Sequence, residues 1–392
     1  MRHYIFMRRF STQAVWGGCE NRLLEYFSRV DYEKTHVTIV TTHDLYSSRL
    51  KDRNLPVSVK IFPVVPGTPD ARFWPRLNFL RSLKPTHIVY VQGAFTDFRL
   101  SDFLAGFMAA KGRLFSLEVL GAPLPPARTA RKGRHPLRGW GLWWYAAMLK
   151  WSLRGWLCKK ILVVSQEVKD RLVRYYKYPA GRITPVFFGI DPEKYKSNPQ
   201  AKPALRQDMA IPIGDRVMIS TARLSPEKRI DRLLQAFDAV YRERKDIWLL
   251  LVGAGPRQQE WQELAQKMTS APRIKFLGFQ DRIADFLNLS DIFVLPSDNE
   301  GLGIGLLEAM AHELICIATR TPGPNEVIRD GQNGFLVEKS VDGLTAALRK
   351  ALDLTEAEKN KITQAARMTV VDDFRQEERI RFALQLLELP AQ

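Results

Sequence analysis

Cysteine is scarce in this 392-residue chain, which contains only Cys19, Cys158 and Cys316. Three widely spaced thiols match neither a disulfide framework nor a zinc-ligand pattern, so we expect a protein of a reducing compartment such as the cytosol. Long apolar runs are also missing, since no stretch approaches the roughly 18 residues that a membrane-spanning helix needs. The N-terminal sequence has basic residues without a following apolar segment, which argues against a secretory signal peptide.

Acidic residues are absent between Glu118 and Glu167. This interval carries nine of the lysines and arginines behind the formal charge of +17, Arg128 and Arg131 among them, and five of the nine tryptophans. Tryptophan favours a membrane interface and arginine an anionic headgroup, so residues 123–160 are predicted to bind an anionic membrane surface. The alternative is a buried helix beside a solvated basic loop, because an apolar helical stripe usually faces a core.

Short apolar runs alternate with helical stretches in both halves of the chain. Val37–Thr41 in the first half and Trp248–Val252 in the second are typical, and we interpret such runs as buried strands. Strands alternating with helices imply right-handed crossovers and parallel sheets, and the chain is longer than one compact core usually allows. We therefore predict an α/β fold with two Rossmann-like, doubly wound domains, residues 1–190 and 191–370, facing each other across a cleft.

Charged residues and glycines follow two predicted strands of the second half. Arg223 and Lys228 come after Val217–Thr221, near the start of the next helix, where two cations and free backbone amides suit a diphosphate. Gly253 follows the next strand in a Gly-Ala-Gly-Pro turn, which lets a ligand approach the backbone closely. Taken alone, these features are equally typical of solvated surface charges and an ordinary strand-to-helix turn.

The segment from Glu300 to Glu308 joins two carboxylates to three glycines within five positions. Unpaired amides at a helix start can bind phosphate oxygens or sugar hydroxyls, and a glutamate can accept hydrogen bonds from two vicinal hydroxyls. The alternative is a helix-start carboxylate followed by an exposed helix residue. Glu308 lies between Leu307 and Ala309 on a mostly apolar helix, where a buried acid needs partners.

This segment resembles the Glu-x7-Glu motif of the retaining family 4 glycosyltransferases. Further likenesses occur in the same order and spacing along the second half: ARL-x3-K at 222–228, GAGP at 253–256, FLGF at 276–279, SDIFVLPS at 290–297 and NGFLV at 333–337. Five motifs in register are highly specific. The resemblance implies the two-domain GT-B fold, with a C-terminal helix, residues 371–392, packing back on the first domain.

The resemblance also implies roles for individual residues. Positions matching Arg223 and Lys228 bind the donor diphosphate in that family, the position of Glu300 lies by the donor sugar, and that of Glu308 binds the ribose. Glu300, Arg223 and Lys228 are therefore the expected catalytic set. The wider expected donor site comprises Gly17, Gly18, Arg223, Lys228, Gly253, Gly278, Phe279, Arg282, Gly301, Leu302, Gly303, Ile304 and Glu308. We expect no metal or cofactor, because two cations would neutralise the leaving diphosphate, and a UDP- or GDP-type donor.

The likeness weakens in the first half of the chain. Gln92 and Glu118 stand where many relatives carry histidine near the reaction centre, so we assign no general base. Both are expected on the acceptor side, together with Arg128 and Arg131. In retaining members of the family, the departing phosphate can take the acceptor proton. Phe188 is a further departure, since it stands where the family usually has asparagine.

The sequence thus predicts a retaining glycosyltransferase that uses a nucleoside-diphosphate sugar and acts on a hydroxyl of a lipid-linked or cell-envelope glycan, as in lipopolysaccharide biosynthesis. It is expected in the cytoplasm, peripherally on the cytoplasmic face of the membrane. The departures at Gln92, Glu118 and Phe188 favour an alternative, a sugar-nucleotide-binding protein without turnover. No recognised nucleic-acid-binding motif accompanies the positive charge, so no nucleic-acid partner is expected.

Overall fold

The computed structural model describes residues 1–8, 18–62, 73–92, 100–118, 149 and 151–392. The chain divides into two compact units. Unit 1 comprises Met1–Phe187 and Arg379–Gln392, and unit 2 comprises Phe188–Glu378. No helix among the described ranges is long and apolar enough to cross a membrane.

Unit 1 contains a seven-stranded sheet with the order β3-β2-β1-β4-β5-β6-β7, and all neighbouring strands are parallel. Its strands are β1 Arg2–Arg8, β2 Thr35–Thr41, β3 Val57–Ile61, β4 His87–Gln92, β5 Leu114–Glu118, β6 Lys160–Val163 and β7 Ile183–Pro185. Its described helices are α1 Gly18–Phe27, α2 Ser47–Asp52, α3 Phe73–Ser82, α4 Leu100–Ala109, α5 at 151–157 and α6 Gln166–Tyr176.

The strand β1 lies between β2 and β4, although the sequence analysis assigned no strand there. Its apolar run is only Tyr4–Met7, with Arg2 before it and Arg8 after it, so the pattern does not indicate a central strand. Arg8 can end a buried strand because its Nε lies 2.9 Å from the Glu20 carboxylate on α1, and both side chains are buried. A buried charge requires such a partner.

The last residues of the chain complete the core of unit 1. Ile380, Ala383 and Leu384 on the helix α15 (Gln376–Leu386) are buried in the same apolar cluster as residues of β1 and β4. The Glu388 carbonyl accepts hydrogen bonds from Tyr4 and from Arg2, and the Glu388 carboxylate is paired with Lys159. This C-terminal segment therefore stabilises the sheet by both apolar burial and polar contacts.

Unit 2 contains a six-stranded parallel sheet with the order β10-β9-β8-β11-β12-β13. Its strands are β8 Arg216–Thr221, β9 Ile247–Val252, β10 Ile274–Gly278, β11 Ile292–Leu295, β12 Ile315–Thr319 and β13 Phe335–Val337. Its helices are α7 Lys202–Asp208, α8 Ile230–Glu243, α9 Gln258–Gln266, α10 Ile283–Leu289, α11 Ile304–Ala311, α12 Pro322–Val327, α13 Val341–Leu352 and α14 Glu356–Asp373.

The strand order of unit 2 reverses between β8 and β11. Strands β9 and β10 follow β8 on one side, whereas β11, β12 and β13 are added in turn on the other side. Loops from β8 and β11 therefore leave the sheet in opposite directions and open a crevice at its carboxyl edge. In open parallel sheets, ligands bind at this switch point.

Candidate functional site

The loops that follow β8 and β9 are interlocked at the carboxyl edge of the unit 2 sheet. Gly253 has a φ of +133°, and a side chain there would collide with the Ala222 carbonyl oxygen. A side chain at Gly255 would collide in the same way with Leu224. Two predicted features, the Gly-Ala-Gly turn and the loop that carries Arg223, therefore require each other for packing. The glycines have a structural role whether or not a ligand approaches them.

Arg223 projects from this loop into solvent. It forms no ion pair with any residue in the described part of the chain. An exposed guanidinium beside the switch point is available to a phosphate group, which it can bind through two parallel hydrogen bonds.

Lys228 and Glu300 meet at the switch point, although 72 residues separate them along the chain. The Lys228 Nζ atom lies 2.5 Å from the Glu300 Oε2 atom, and the side chains are 18% and 14% exposed. The Ser297 hydroxyl lies 3.4 Å from the same carboxylate oxygen, at the long end of hydrogen-bonding distance. Lys228 follows β8 and Glu300 follows β11, so these two of the three predicted catalytic residues come from the two sides of the crevice.

The glycine turn before α11 is also required by packing. Gly303 has a φ of +81°, a conformation that favours glycine, and it directly precedes the helix. A side chain at Gly305 would place its Cβ 2.5 Å from the Thr221 hydroxyl oxygen. The start of α11 therefore lies directly against the end of β8. Gly301 and Ile304 are half-buried at this point and Leu302 is buried.

Glu308 lies one turn into α11 and is only 9% exposed. Its Oε1 atom accepts a 2.6 Å hydrogen bond from the Tyr195 hydroxyl. Burial raises the pKa of Glu308, and the Tyr195 hydrogen bond and the nearby Lys194 charge oppose that shift. The alternative of an ordinary exposed helix residue is therefore wrong for Glu308, which is a buried acid with a polar partner.

Asp298 connects the two loops of the crevice. Its carboxylate contacts the Arg229 Nη1 atom at 2.9 Å and the Arg232 Nη2 atom at 2.8 Å. Its backbone amide donates a 2.8 Å hydrogen bond to the Glu227 carbonyl oxygen. The residues next to Lys228 and the residues before Glu300 are thus fixed to each other through Asp298.

The loop after β10 carries the residues expected to face a nucleobase. Gly278 has a φ of +66°, and a side chain there would meet no neighbouring atom, so the glycine serves backbone conformation rather than packing. Phe279 is 74% exposed. Arg282 is paired with Asp285 at 2.5 Å and remains largely in solvent. Since β10, β9, β8 and β11 are neighbouring parallel strands, all these loops emerge at one edge of the sheet.

Gln92 and Glu118, predicted on the acceptor side, end two neighbouring strands of unit 1 and are buried. Both bind Arg154, which is itself fully buried. The Arg154 Nη1 atom donates a 2.9 Å hydrogen bond to the Gln92 Oε1 atom, and the Nη2 atom lies 2.6 Å from Glu118. The Ser116 hydroxyl completes this network. Burial raises the pKa of Glu118, and the Arg154 charge opposes that shift.

This network gives Gln92 and Glu118 an interior role, and their role toward an acceptor stays a prediction. It also corrects the interpretation of the basic segment, because Arg154 is not available to an anionic surface. Arg128 and Arg131 lie outside the described residues, as does Gly17. Gly18 begins α1.

The described tryptophans of the basic segment differ in exposure, so neither the membrane-surface prediction nor the buried-helix alternative fits both of them. Trp151 is 2% exposed, in agreement with the alternative of a buried helix, whereas Trp156 is 58% exposed. Leu149 and Leu153 are also exposed. Trp140, Trp143 and Trp144 lie outside the described residues.

Sequence reasoning missed four residues of the unit 2 crevice: Tyr195, Arg229, Arg232 and Asp298. The dense charges of Lys228-Arg-Ile-Asp-Arg232 were a signal that this turn needs an acidic partner. For Tyr195 the sequence holds no comparable signal, because its partner lies 113 residues away. Among the described residues, no group of three or more His, Cys, Asp or Glu side chains can bind a metal ion.

Comparison with known proteins now identifies the family. Residues 201–368 match the model of the glycosyl transferases group 1, and residues 16–194 match that of glycosyltransferase family 4. The chain belongs to the group 1, family 4 glycosyltransferases. The assignment made from the motifs around Glu300 and Glu308 is therefore confirmed at the level of the family.

Curated relatives in this family match the chain over part of their own length. N-acetyl-alpha-D-glucosaminyl L-malate synthase of Bacillus anthracis is 35% identical over 44% of this chain and 45% of its own length. The lipopolysaccharide core biosynthesis glycosyltransferase LpsE of Rhizobium meliloti is 28% identical over 46% of this chain and 52% of its own. The chain thus spans about half the length of the curated relatives it matches.

Solved structures match the fold of the whole chain. Anabaena Alr3699/HepE in complex with UDP has a TM-score of 0.77 at 18% identity, covering 99% of this chain and all of that one. The same protein has also been solved with UDP-glucose. The α/β, GT-B class predicted from the sequence is confirmed by this likeness.

Proposed function

We propose that this chain transfers a sugar from a nucleoside-diphosphate donor to a hydroxyl acceptor, with retention of the anomeric configuration. The observation that supports this most is the meeting of Lys228 and Glu300 at the switch point of unit 2, with Arg223 and Glu308 on adjoining loops and helices. Family membership gives the reaction class, and the UDP-glucose complex of HepE favours a donor of this chemistry.

The chemistry assigns a separate task to each side chain. The bond between the sugar C1 atom and the diphosphate breaks, and the Arg223 and Lys228 cations stabilise the negative charge left on the leaving group. The acceptor oxygen bonds to C1 on the same face, and its proton passes to a departing phosphate oxygen. Glu300 lies beside the sugar, and ligand phosphate weakens its pairing with Lys228. Glu308 accepts hydrogen bonds from the ribose.

Release of nucleoside diphosphate from a panel of UDP-, GDP- and ADP-sugars tests this proposal. The purified chain is expected to turn over at least one donor, and the anomeric proton of the product, followed by NMR, is expected to report retention. Lys228→Met should lower kcat/KM about 100- to 1000-fold, because one group that stabilises the transition-state charge is removed.

Lys361→Met is the matched control, because Lys361 is an exposed lysine on α14 and does not belong to the loops of the crevice. It should leave kcat/KM unchanged. Donor binding without any release of diphosphate would instead support the sugar-nucleotide-binding alternative, and an inverted product would contradict retention.

For the acceptor, we propose a lipid-linked or cell-envelope glycan at an anionic membrane surface. Three observations support this: the basic interval without acidic residues, the exposed side chains of Trp156, Leu149 and Leu153, and the likeness to LpsE, a glycosyltransferase of lipopolysaccharide core biosynthesis. The protein would then work in the cytoplasm, on the inner face of the membrane.

Sedimentation with liposomes tests the membrane proposal. Vesicles containing an anionic phospholipid should pellet more protein than neutral vesicles, and Trp156→Ala should reduce that pelleting because an interfacial indole is lost. Trp74→Ala is the matched control, since Trp74 is 65% exposed on another helix of unit 1. Equal pelleting by neutral and anionic vesicles would overturn the proposal.

A further inference from the structure

Tyr195 contacts Glu308 from a segment that no motif covers. It lies between Phe188, where unit 2 begins, and α7. Its hydroxyl donates the 2.6 Å hydrogen bond to the Glu308 Oε1 atom. No other described side chain donates a hydrogen bond to that carboxylate. The orientation of the buried acid is therefore determined by a residue far away in sequence.

The position of Tyr195 is itself fixed by contacts with two helices. Its ring packs edge-on against His312, which follows α11, with the ring centroids 5.8 Å apart. Arg367 on α14 donates hydrogen bonds to the Ala311 carbonyl oxygen at 2.6 Å and to the Pro192 carbonyl oxygen at 3.4 Å. The ring contact with His312 and the two hydrogen bonds of Arg367 thus hold the segment of Tyr195 against the end of α11.

A carboxylate held in this way can still bind a diol. An ionised glutamate offers about four lone-pair sites on its two oxygens, and Tyr195 uses one of them. The remaining sites suffice for two vicinal ribose hydroxyls. Without the tyrosine hydroxyl, a buried carboxylate loses a hydrogen bond that favours its charged, accepting form, and its side chain is freer to turn away.

We propose that Tyr195 is a positioning residue for ribose recognition: its hydroxyl orients the Glu308 carboxylate so that the other acceptor sites face the donor's ribose hydroxyls. This inference rests on the proposed function, because it requires Glu308 to bind the ribose. It extends that function by assigning selectivity for ribonucleotides over deoxyribonucleotides to a hydrogen bond whose donor, Tyr195, lies outside the Glu300–Glu308 segment.

Isothermal titration of the full chain with UDP and with 2′-deoxy-UDP tests the inference, with GDP and its 2′-deoxy form as a second pair. Wild-type protein should bind the ribonucleotide about tenfold or more tightly than the deoxynucleotide, as expected for hydroxyl hydrogen bonds to a charged group. Tyr195→Phe should weaken ribonucleotide binding about 5- to 30-fold and deoxynucleotide binding much less, so that the ratio of the two dissociation constants falls.

Two comparisons separate positioning from a structural effect. Glu308→Gln should lower the same ratio, and the double variant should lose little more than either single variant, because both act through one carboxylate. Tyr175→Phe removes a hydroxyl from α6 in unit 1 and should leave the ratio unchanged. In turnover, Tyr195→Phe should raise KM for the donor more than it lowers kcat.

The possible failures are distinguishable. If Glu308→Gln lowers the ratio and Tyr195→Phe leaves it at the wild-type value, the inference is wrong and the proposed function stands. Tighter ribonucleotide binding by Tyr195→Phe would show that the hydroxyl competes with the ribose, and it would also overturn the inference. Wild-type protein that binds neither pair contradicts the proposed function and the ribose role together.

Discussion

At the scale of single residues, Arg229 has an unfavourable backbone conformation that its side-chain ion pairs stabilise. Its φ is 48°, a left-handed conformation that costs a non-glycine residue about 1 kcal/mol or more. The guanidinium is paired with Asp231 at 2.9 Å and with Asp298 at 2.9 Å. Burial favours protonation of Asp298, but the hydrogen bonds from Arg229 and Arg232 outweigh it and keep the pKa of Asp298 below its ordinary value.

Asp298→Asn removes the charge that joins the two loops of the crevice and keeps the shape of the side chain. We expect kcat/KM for the donor to fall about tenfold, because Lys228 and Glu300 are then less firmly placed against each other. Steady-state kinetics with the preferred donor is the measurement. The melting temperature should change little, because the Asp298 side chain is 41% exposed and an exposed ion pair contributes little stability.

Asp353→Asn is the control for this change. Asp353 also pairs with an arginine, Arg244 at 3.3 Å, but it is 72% exposed and follows α13. Its variant should match the wild type in kinetics. Asp298→Asn with wild-type kinetics would show that the Asp298 contacts do not position the catalytic pair.

At the scale of helices and strands, the sequence located several helices but missed α14, the longest helix in the described part of the chain. The sequence pattern predicts helices over Gln166–Tyr176, Ile304–Ala311 and Val341–Leu352, and the structure shows helices with the same bounds. Two of them begin at a serine, Ser165 or Ser340, whose hydroxyl accepts a hydrogen bond from a backbone amide of the first turn. Such caps are visible in sequence, so these boundaries could be located.

The two three-residue strands were not predicted, and the reason is physical. β7 and β13 have three residues each, which is too short for any periodicity to show. β1 is longer, but its flanking arginines hide it, and only the pairing of Arg8 with Glu20 on α1 makes it compatible with a core. Such strands form because a neighbouring strand already offers hydrogen bonds, and that information is not local.

The candidate site divides in the same way. The motifs indicate Arg223, Lys228, Glu300 and Glu308 together, and the strand order brings them to one sheet edge, while their roles stay predictions. The buried Arg154 network could not be predicted, because Gln92, Glu118 and Arg154 come from three separate segments of unit 1. A single sequence shows which residues end a strand, but not which distant side chain reaches them.

At the scale of the whole molecule, the residues proposed to bind the donor and the basic interval lie in different units. Unit 2 carries Arg223, Lys228, Glu300 and Glu308, which we propose bind the donor, and all four belong to the described part of the chain. The basic interval between Glu118 and Glu167, which contributes nine positive charges to the formal charge of +17, belongs to unit 1. Its Arg154 is buried in an ion pair. Recognition of the donor by unit 2 is therefore the proposal on which the other functional statements depend.

Calorimetric titration of the full chain with UDP and GDP is the most direct test of this recognition. At least one of the two nucleotides should bind at a single site. The double variant Arg223→Ala, Lys228→Met should weaken that binding at least 100-fold, because two charge-assisted phosphate contacts are removed. Lys361→Met should bind like the wild type. If the wild-type protein binds no nucleoside diphosphate, or if the double variant binds as tightly as the wild type, unit 2 does not recognise the donor through Arg223 and Lys228.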